Sequence, residues 1–533
     1  MLPAKPDSLR VALNRVTFGA RDLEVAGVAA SGWAAWVDDQ LKPPVGDDPQ
    51  LDAHLKAQVM HIEYPASDPA QTQSSWAAVK EDRTLNYIGA DTPTLWNVAT
   101  RAGLSVSFSE RFRIRQELAA ATWIRNTHSK YQLREFMADF WHNHFNIGKN
   151  ENELATALLP VYDRAAIRPH VFGNFRAMLE ANATSSSMLI YLDNWVSTAT
   201  TPNENYAREI MELHTLGGAA YYGTELAGNV QKGNDGVALG FTDQDIVHAS
   251  RALSGWTVKF GQRFGGVQIA STGEFIYNSA QHNTQAGVLL GAFIAPLTDP
   301  MAQGRKLLDM LAYHTMTAAF IVTKLAKRIF GDSPPQAVID RGIAAWKANP
   351  TAPDQIAQVL RAMLVGGTEV MTAPVTKVRR PFERLIALAR TTDMVVNAST
   401  AMTSLLDPLN DGLFAWPAPD GRPDINGYWL ATGATVTTWN LLFQLPNFRD
   451  VKTTLTNQTP LSDAASATGV VEYWVGRMVG AQLSSAAMNM LTSDQAGSAG
   501  VPAVLKTNSA TAIENAYRRL VSLIATSEEF TLR

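Results

Sequence analysis

Apolar residues recur at intervals of three and four along most of the chain, the spacing that lays one face of a helix against a core. Ser8 caps a run holding Leu9, Val11, Ala12 and Leu13, and Trp33, Trp36, Val37 and Leu41 continue the pattern, which predicts helices over 8–41. Residues 42–73 are rich in Pro and Asp and read largely as loop. Helical spacing resumes near Pro93 and runs through 108–112, 118–121 and 133–145, making the first two hundred residues an α region. From 221 to 291 Gly, Asn and Thr become frequent. Two short runs there, 267–270 and 274–277, flank Ser271-Thr272-Gly273, a hairpin signature, while Asp243 opens and Gly255 closes a helix.

Helices return over 301–330, 335–347, 354–364 and 381–390. Residues 407–429 are irregular, with Pro and Gly set among Phe414, Trp416, Tyr428 and Trp429, and a long loop of this kind inside a globular chain is often functional. A Ser/Ala/Gly-rich stretch, 484–511, precedes a last helix at 512–526. The expected fold is mainly α, a large helical array with a small irregular, β-hairpin insertion. Its divisions are an N-terminal helical region 1–220 with the candidate site, a Gly/Asn-rich insertion 221–300, and a C-terminal helical region 301–533 with the Pro/Trp-rich loop.

Composition narrows the chemistry. Of 533 residues 46% are apolar and 18% charged, which suits a packed core and excludes disorder as the main state. The net charge of −4, without a basic run, argues against nucleic acid as a partner. Zero cysteines removes thiolate nucleophiles, disulfides and Cys-ligated metals. Nowhere do 18 uncharged apolar residues run together, so no membrane span is expected, and the first residues lack the apolar core of a signal peptide.

The densest chemistry lies at Pro202 to Gly217. At about 100° per residue, Asn205, Arg208, Glu209 and Glu212 share one helical sector roughly 100° wide, while Ile210, Met211 and His214 point elsewhere. The bland reading is a solvated i, i+4 ladder of Glu204, Arg208 and Glu212. The apolar flanks favour a partly buried face. His142 and His144 point to opposite sides of their helix, which weakens a His-x-His metal site, and Phe140, Trp141 and Phe145 form an aromatic sleeve around His144. Arg168-Pro169-His170 and Asp193-Asn194 add polar groups, with Asp193 and Asn194 expected beside the Glu209 helix; Asp193 reads equally as a turn residue. Asn143 completes the polar set. Phosphate-loop, nucleophile-elbow, His-Glu-x-x-His and dinucleotide-fold patterns are missing.

Two carboxylates one turn apart in a low-dielectric cleft have their pKa values pushed apart, as acid/base cleavage of a glycoside requires. With Asn205, Asp193 and water they could instead hold a hard divalent cation, or a transition metal if His144 or His170 reaches them; Arg208 competes with such an ion.

Several segments together resemble the large bacterial family known as domain of unknown function "eighteen hundred". They are Leu13 to Gly19, Phe140 to Phe145, Arg168-Pro169-His170, Met188 to Asp193, Asn203 to Gly217, Arg251 to Trp256, His282, His314 with Phe320 and Lys324-Leu325, Arg380 to Glu383, and Gly412-Leu413-Phe414 with Trp416-Pro417. Trp141, Asn143, His144, Phe145, Asn205, Arg208, Glu209, Glu212 and His214 match the family pattern, His142 falls at a variable place, and Asn283 stands where Asp is usual. The resemblance implies a periplasmic or extracellular setting and a sulfatase-like partner.

The leading expectation is a glycan-active hydrolase. Glu209 and Glu212 are its carboxylate pair and His144 a further catalytic residue; Arg208, Asn205, Asn143, Asp193 and His170 bind substrate, and Trp416 and Trp429 offer stacking faces. The alternatives are a metal-dependent hydrolase or oxidoreductase using His144 with Glu209 and Glu212, and a non-enzymatic envelope scaffold with a buried polar network.

Overall fold

The computed structural model describes the chain apart from residues 1, 69, 71–73, 102–103, 149–152, 235, 296–300 and 497–509. It is mainly α-helical, and its strands form only small antiparallel pairs. The Phe108–His128 helix buries Ile114, Leu118, Ala121 and Trp123 and packs against Pro381–Thr391, a helix buried along its whole length. One contiguous cluster of buried apolar side chains runs from Ala12 to Phe530. Early and late segments close on each other directly. The Trp33 indole donates to the Leu364 carbonyl at 2.8 Å, and Arg390 donates to the carbonyls of Gly19 and Thr127 at 3.0 and 2.9 Å.

Two local expectations need correction. The stretch 42–73 holds the helix Pro49–Lys56, capped by the Asp48 carboxylate, and the strand Val59–Tyr64, paired with Val79–Thr84. Its Pro and Asp residues mark the start of a helix as readily as a loop. The insertion contains a hairpin, but its turn is Gly265-Gly266. Both glycines have positive φ (53° and 87°), as the tight two-residue turn demands. Residues 271–273 instead continue a strand, Ser271–Tyr277, paired with Trp256–Phe260. Gly273 is needed there because a Cβ would lie 2.5 Å from the Trp96 ring. The Asp243–Leu253 helix forms as expected, with a Thr242/Asp245 capping box. In the Ser/Ala/Gly-rich stretch, Ser485–Ala496 is helical and 497–509 lie outside the described residues.

Two buried charge networks position the helices that carry the candidate site. In the first, Asp139 pairs with Arg328 (2.8 Å) and Arg380, while Glu383 pairs with Arg328, Arg380 and Arg533. Burial opposes ionisation of Glu383, but the guanidinium groups of Arg328, Arg533 and Arg380 overcome it and hold its pKa well below the usual carboxylate range. In the second, Glu135, Asp163 and Asp47 meet Arg134, Arg168 and Arg125, and His142 Nε2 lies 2.8 Å from Asp163.

Removing one partner from such a network leaves buried charge uncompensated, at about 3–5 kcal/mol. Glu383→Gln should therefore lower the urea midpoint by an amount equivalent to that loss at pH 7. The group's folded pKa is depressed, so its stabilisation is present above about pH 4.5 and lost as pH falls towards the folded value. The variant should accordingly lose less stability than the parent on acidification, and equal midpoints at pH 7 would contradict this account.

Candidate active site

The Glu204–Glu212 helix starts at Asn203, whose side chain accepts from the Asn205 amide at 2.8 Å. Tyr206, Ala207, Ile210 and Met211 are buried, Arg208, Glu209 and Glu212 are half-buried, and Asn205 is exposed. The helix therefore lays a polar face along the edge of the core. It ends at Glu212, so His214 belongs to the following turn.

Glu209 and Glu212 stand apart from the acids of the networks: among the described residues neither carboxylate has a hydrogen-bond or ion-pair partner. Burial pushes the Glu209 carboxyl up to about 7, helped by the charges of Glu212 and Asp420 and opposed by Arg208. Arg208 itself points to Asp243 (3.4 Å) and lies 5.2 Å over the Tyr221 ring, so it serves the neighbouring segment as well. Glu212 packs over Gly218, where a Cβ would sit 3.4 Å from its Oε1.

The aromatic loop reaches this edge by its backbone. Asn143 Nδ2 donates to the Arg422 carbonyl (3.1 Å) and its Oδ1 accepts from the Arg422 amide (2.7 Å). Asn146 donates to the carbonyls of Trp416 (3.1 Å) and Ala418 (2.7 Å), and the Tyr191 hydroxyl donates to Pro417 O at 2.7 Å. Contact is tight enough that a Cβ on Gly148 would lie 2.1 Å from Trp416 O, and one on Gly421 (φ +77°) 2.2 Å from Asn143 O. Asn143 is thus engaged in anchoring the loop. Trp429 is 5% exposed and donates its indole N–H to Pro423 O, so it offers no open face; Trp416 is half-buried with its ring edge-on to Tyr428.

His144 is 1% exposed. Its Nε2 lies 3.1 Å from the His214 carbonyl, which places the proton on Nε2 and leaves Nδ1 to accept from Lys324 Nζ at 3.1 Å. Burial, then the Lys324 charge, lowers its pKa well below the ordinary value. The Phe140 ring lies parallel to the imidazole at 6.1 Å and Phe145 edge-on at 4.5 Å, forming the expected sleeve. His214 is pulled down to about 3 by burial and the Lys324 charge. The histidines support the site from behind, linked to the carboxylate helix through the turn at His214, whose amide donates to Glu209 O.

Other expected residues lie elsewhere. Asp193 is an exposed turn residue with φ 59°, and its carbonyl, with that of Leu192, accepts from Asn203 and Asn205 at the far, N-terminal end of the helix. His170 occupies a short turn after Arg168, next to the second charge network, and no described contact links it to Glu209. Among the described residues no three His, Asp or Glu side chains gather as a metal would require. Asn283 is occupied with Ser254, Ala199 and Gln285. Asp420, Tyr191 and Lys324 complete the neighbourhood; Lys324 and Tyr191 lay within segments carrying the resemblance, but nothing local marked Asp420 beyond its place in a Pro-rich loop.

Fold and site define a large α-helical protein with an unpaired, half-buried carboxylate pair beside a backbone-clasped aromatic loop. The family model described as "Protein of unknown function (DUF1800)" matches residues 11–532, and the chain belongs to that family. No curated protein and no solved structure matches it. Among the described residues no helix is long and apolar enough to cross a membrane.

The clasp makes Gly421→Ala and Asn143→Ala informative. Each should weaken loop docking by about 1–3 kcal/mol and so accelerate limited proteolysis within 411–425 by roughly tenfold or more, with the global unfolding midpoint changing less. Cleavage at the parent rate in both variants would show that the loop is held by other contacts.

Proposed function

We propose that the protein is a hydrolase acting on a glycan, with Glu209 as general acid and Glu212 as its carboxylate partner. The observation carrying this reading is that the half-buried Glu209 and Glu212 carboxylates have no hydrogen-bond or ion-pair partner among the described residues, with burial pushing the Glu209 carboxyl up to about 7. A carboxyl poised near neutral pH can protonate a glycosidic oxygen while a second carboxylate one turn away supports the oxocarbenium-like transition state or activates water. Half-burial gives the pair both a lowered dielectric and access to solvent. The setting implied by the family resemblance supports action in the periplasm or outside the cell, beside a sulfatase-like partner. The donor set favours this route over a metal-dependent one.

A second reading, a scaffold whose polar residues fix the packing, is favoured by the engagement of Asn143 and His144 in fixed contacts. Variants of the two carboxylates separate the readings. Glu209→Gln and Glu212→Gln should each abolish reducing-end release from a panel of polysaccharides and nitrophenyl glycosides. Retained turnover in both, or no release by the parent protein, overturns the hydrolase reading.

The pH dependence has a definite sign. Glu209's folded pKa is raised, so the stabilisation from its protonation is full below about 4.5 and is lost as pH rises through about 7. Glu209→Gln should then be more stable than the parent at pH 8, by about 1–2 kcal/mol after allowance for solvent screening, and equal to it at pH 4. Parent activity should fall tenfold per pH unit above about 7. A scaffold role predicts instead that the Gln variant melts lower at pH 8.

A further inference from the structure

A cavity of about 260 Å³ lies between the Gln132–His144 helix, the Thr315–Phe330 helix and the loop at 420–425, and neither Glu209 nor Glu212 lines it. Most charges on its wall are matched: Arg328 and Arg380 to Asp139 and Glu383, Arg422 to Asp411, and Asp424 to Lys377. Lys324 and Lys327 are the exceptions among its cations. Neither has a carboxylate within 4 Å among the described residues, and at i and i+3 they share one helix face. We propose that Lys324 is a carbonyl-reactive amine, whose ε-nitrogen, hydrogen-bonded to His144 Nδ1 in this cavity, forms an imine with a small 2-oxo acid seated by Lys327.

His144 makes the arrangement directional. With its proton held on Nε2 by the His214 carbonyl, Nδ1 accepts one Lys324 N–H and orients the amine. Lys324 is lowered to about 8 by burial, with Asp424 and Asp420 on the facing loop opposing, so a useful fraction is neutral near physiological pH. The nitrogen lone pair attacks the carbonyl carbon, the π pair moves to oxygen, and one of the two protons of the attacking nitrogen transfers to that oxygen, giving a neutral carbinolamine. The nitrogen then gives a proton to His144 Nδ1, which returns it to the hydroxyl as that leaves as water, and the C=N bond forms. Amine and carbonyl become imine and water with no redox partner. The exposed Lys327 ammonium at the cavity's edge suits a carboxylate on the adjacent carbon.

This inference does not depend on the glycan reading and has its own test. The full chain is incubated with glyoxylate and cyanoborohydride, which reduces any imine to a stable secondary amine, and lysine peptides are quantified by mass spectrometry. Lys324 should label roughly tenfold faster than the exposed Lys56 and Lys80 (75% and 71% exposed), with a rate rising through about pH 8. Lys327→Gln should slow labelling by glyoxylate but not by propanal. Labelling of Lys324 no faster than of Lys56 and Lys80 overturns the proposal. Propanal reacting as fast as glyoxylate in the parent overturns the assignment of a 2-oxo acid.

Discussion

Everything that positions the site depends on the buried meeting of Asp139 and Glu383 with Arg328, Arg380 and Arg533. Asp139 sits one turn before Asn143 and His144, Arg328 one turn after Lys324, and Arg380 and Glu383 at the head of the fully buried Pro381–Thr391 helix. Apolar packing alone would let these helices slide, because dispersion is nearly indifferent to small shifts. Ion pairs in a low-dielectric interior are not, since a displaced carboxylate leaves its guanidinium desolvated and unmatched. The network thereby fixes the register in which Lys324 meets His144 and Asn143 meets the loop.

Against that background, what distinguishes a working group from a structural one is the lack of a partner. Glu135, Asp139, Asp163 and Glu383 are all matched by arginines, and their ionisation is a feature of the fold. Among the described residues Glu209, Glu212 and Lys324 form no ion pair, and the raised pKa of Glu209 and the lowered one of Lys324 follow from burial that the nearby opposite charges, Arg208 for the one and Asp424 and Asp420 for the other, only partly offset. Burial acts on the two groups in opposite directions, bringing an acid and a base towards neutrality within one neighbourhood.

The sequence made much of this legible where local rules suffice. Apolar periodicity located the helices around Glu209, His144 and Lys324, and the opposite facing of His142 and His144 followed from two residues' rotation; the structure sends one to Asp163 and the other to Lys324. Local rules failed where distant chain decides. Local spacing puts the hairpin turn at Ser271-Thr272-Gly273, whereas it lies at Gly265-Gly266 and Gly273 packs within a strand against Trp96. Asp193 and His170 looked like site residues because they lie close in sequence, yet the chain carries them to the far end of the helix and to a different network. Trp429 looked like a binding face because loops are usually open, but its ring fills the base of its own loop.

The clasp on that loop carries a further consequence. Asn143, Asn146 and Tyr191 grip carbonyls and an amide of residues 416, 417, 418 and 422, never a side chain. At residues 416–420 the path of the loop is therefore held through its backbone, while Gly421 and the ion-paired side chains of Arg422 and Asp424 fix the stretch that follows. Substitutions at Pro417, Ala418, Pro419 or Asp420 can change what the rim offers to a ligand without moving the rim, so ligand preference can diverge within this architecture while the machinery beneath it stays in place.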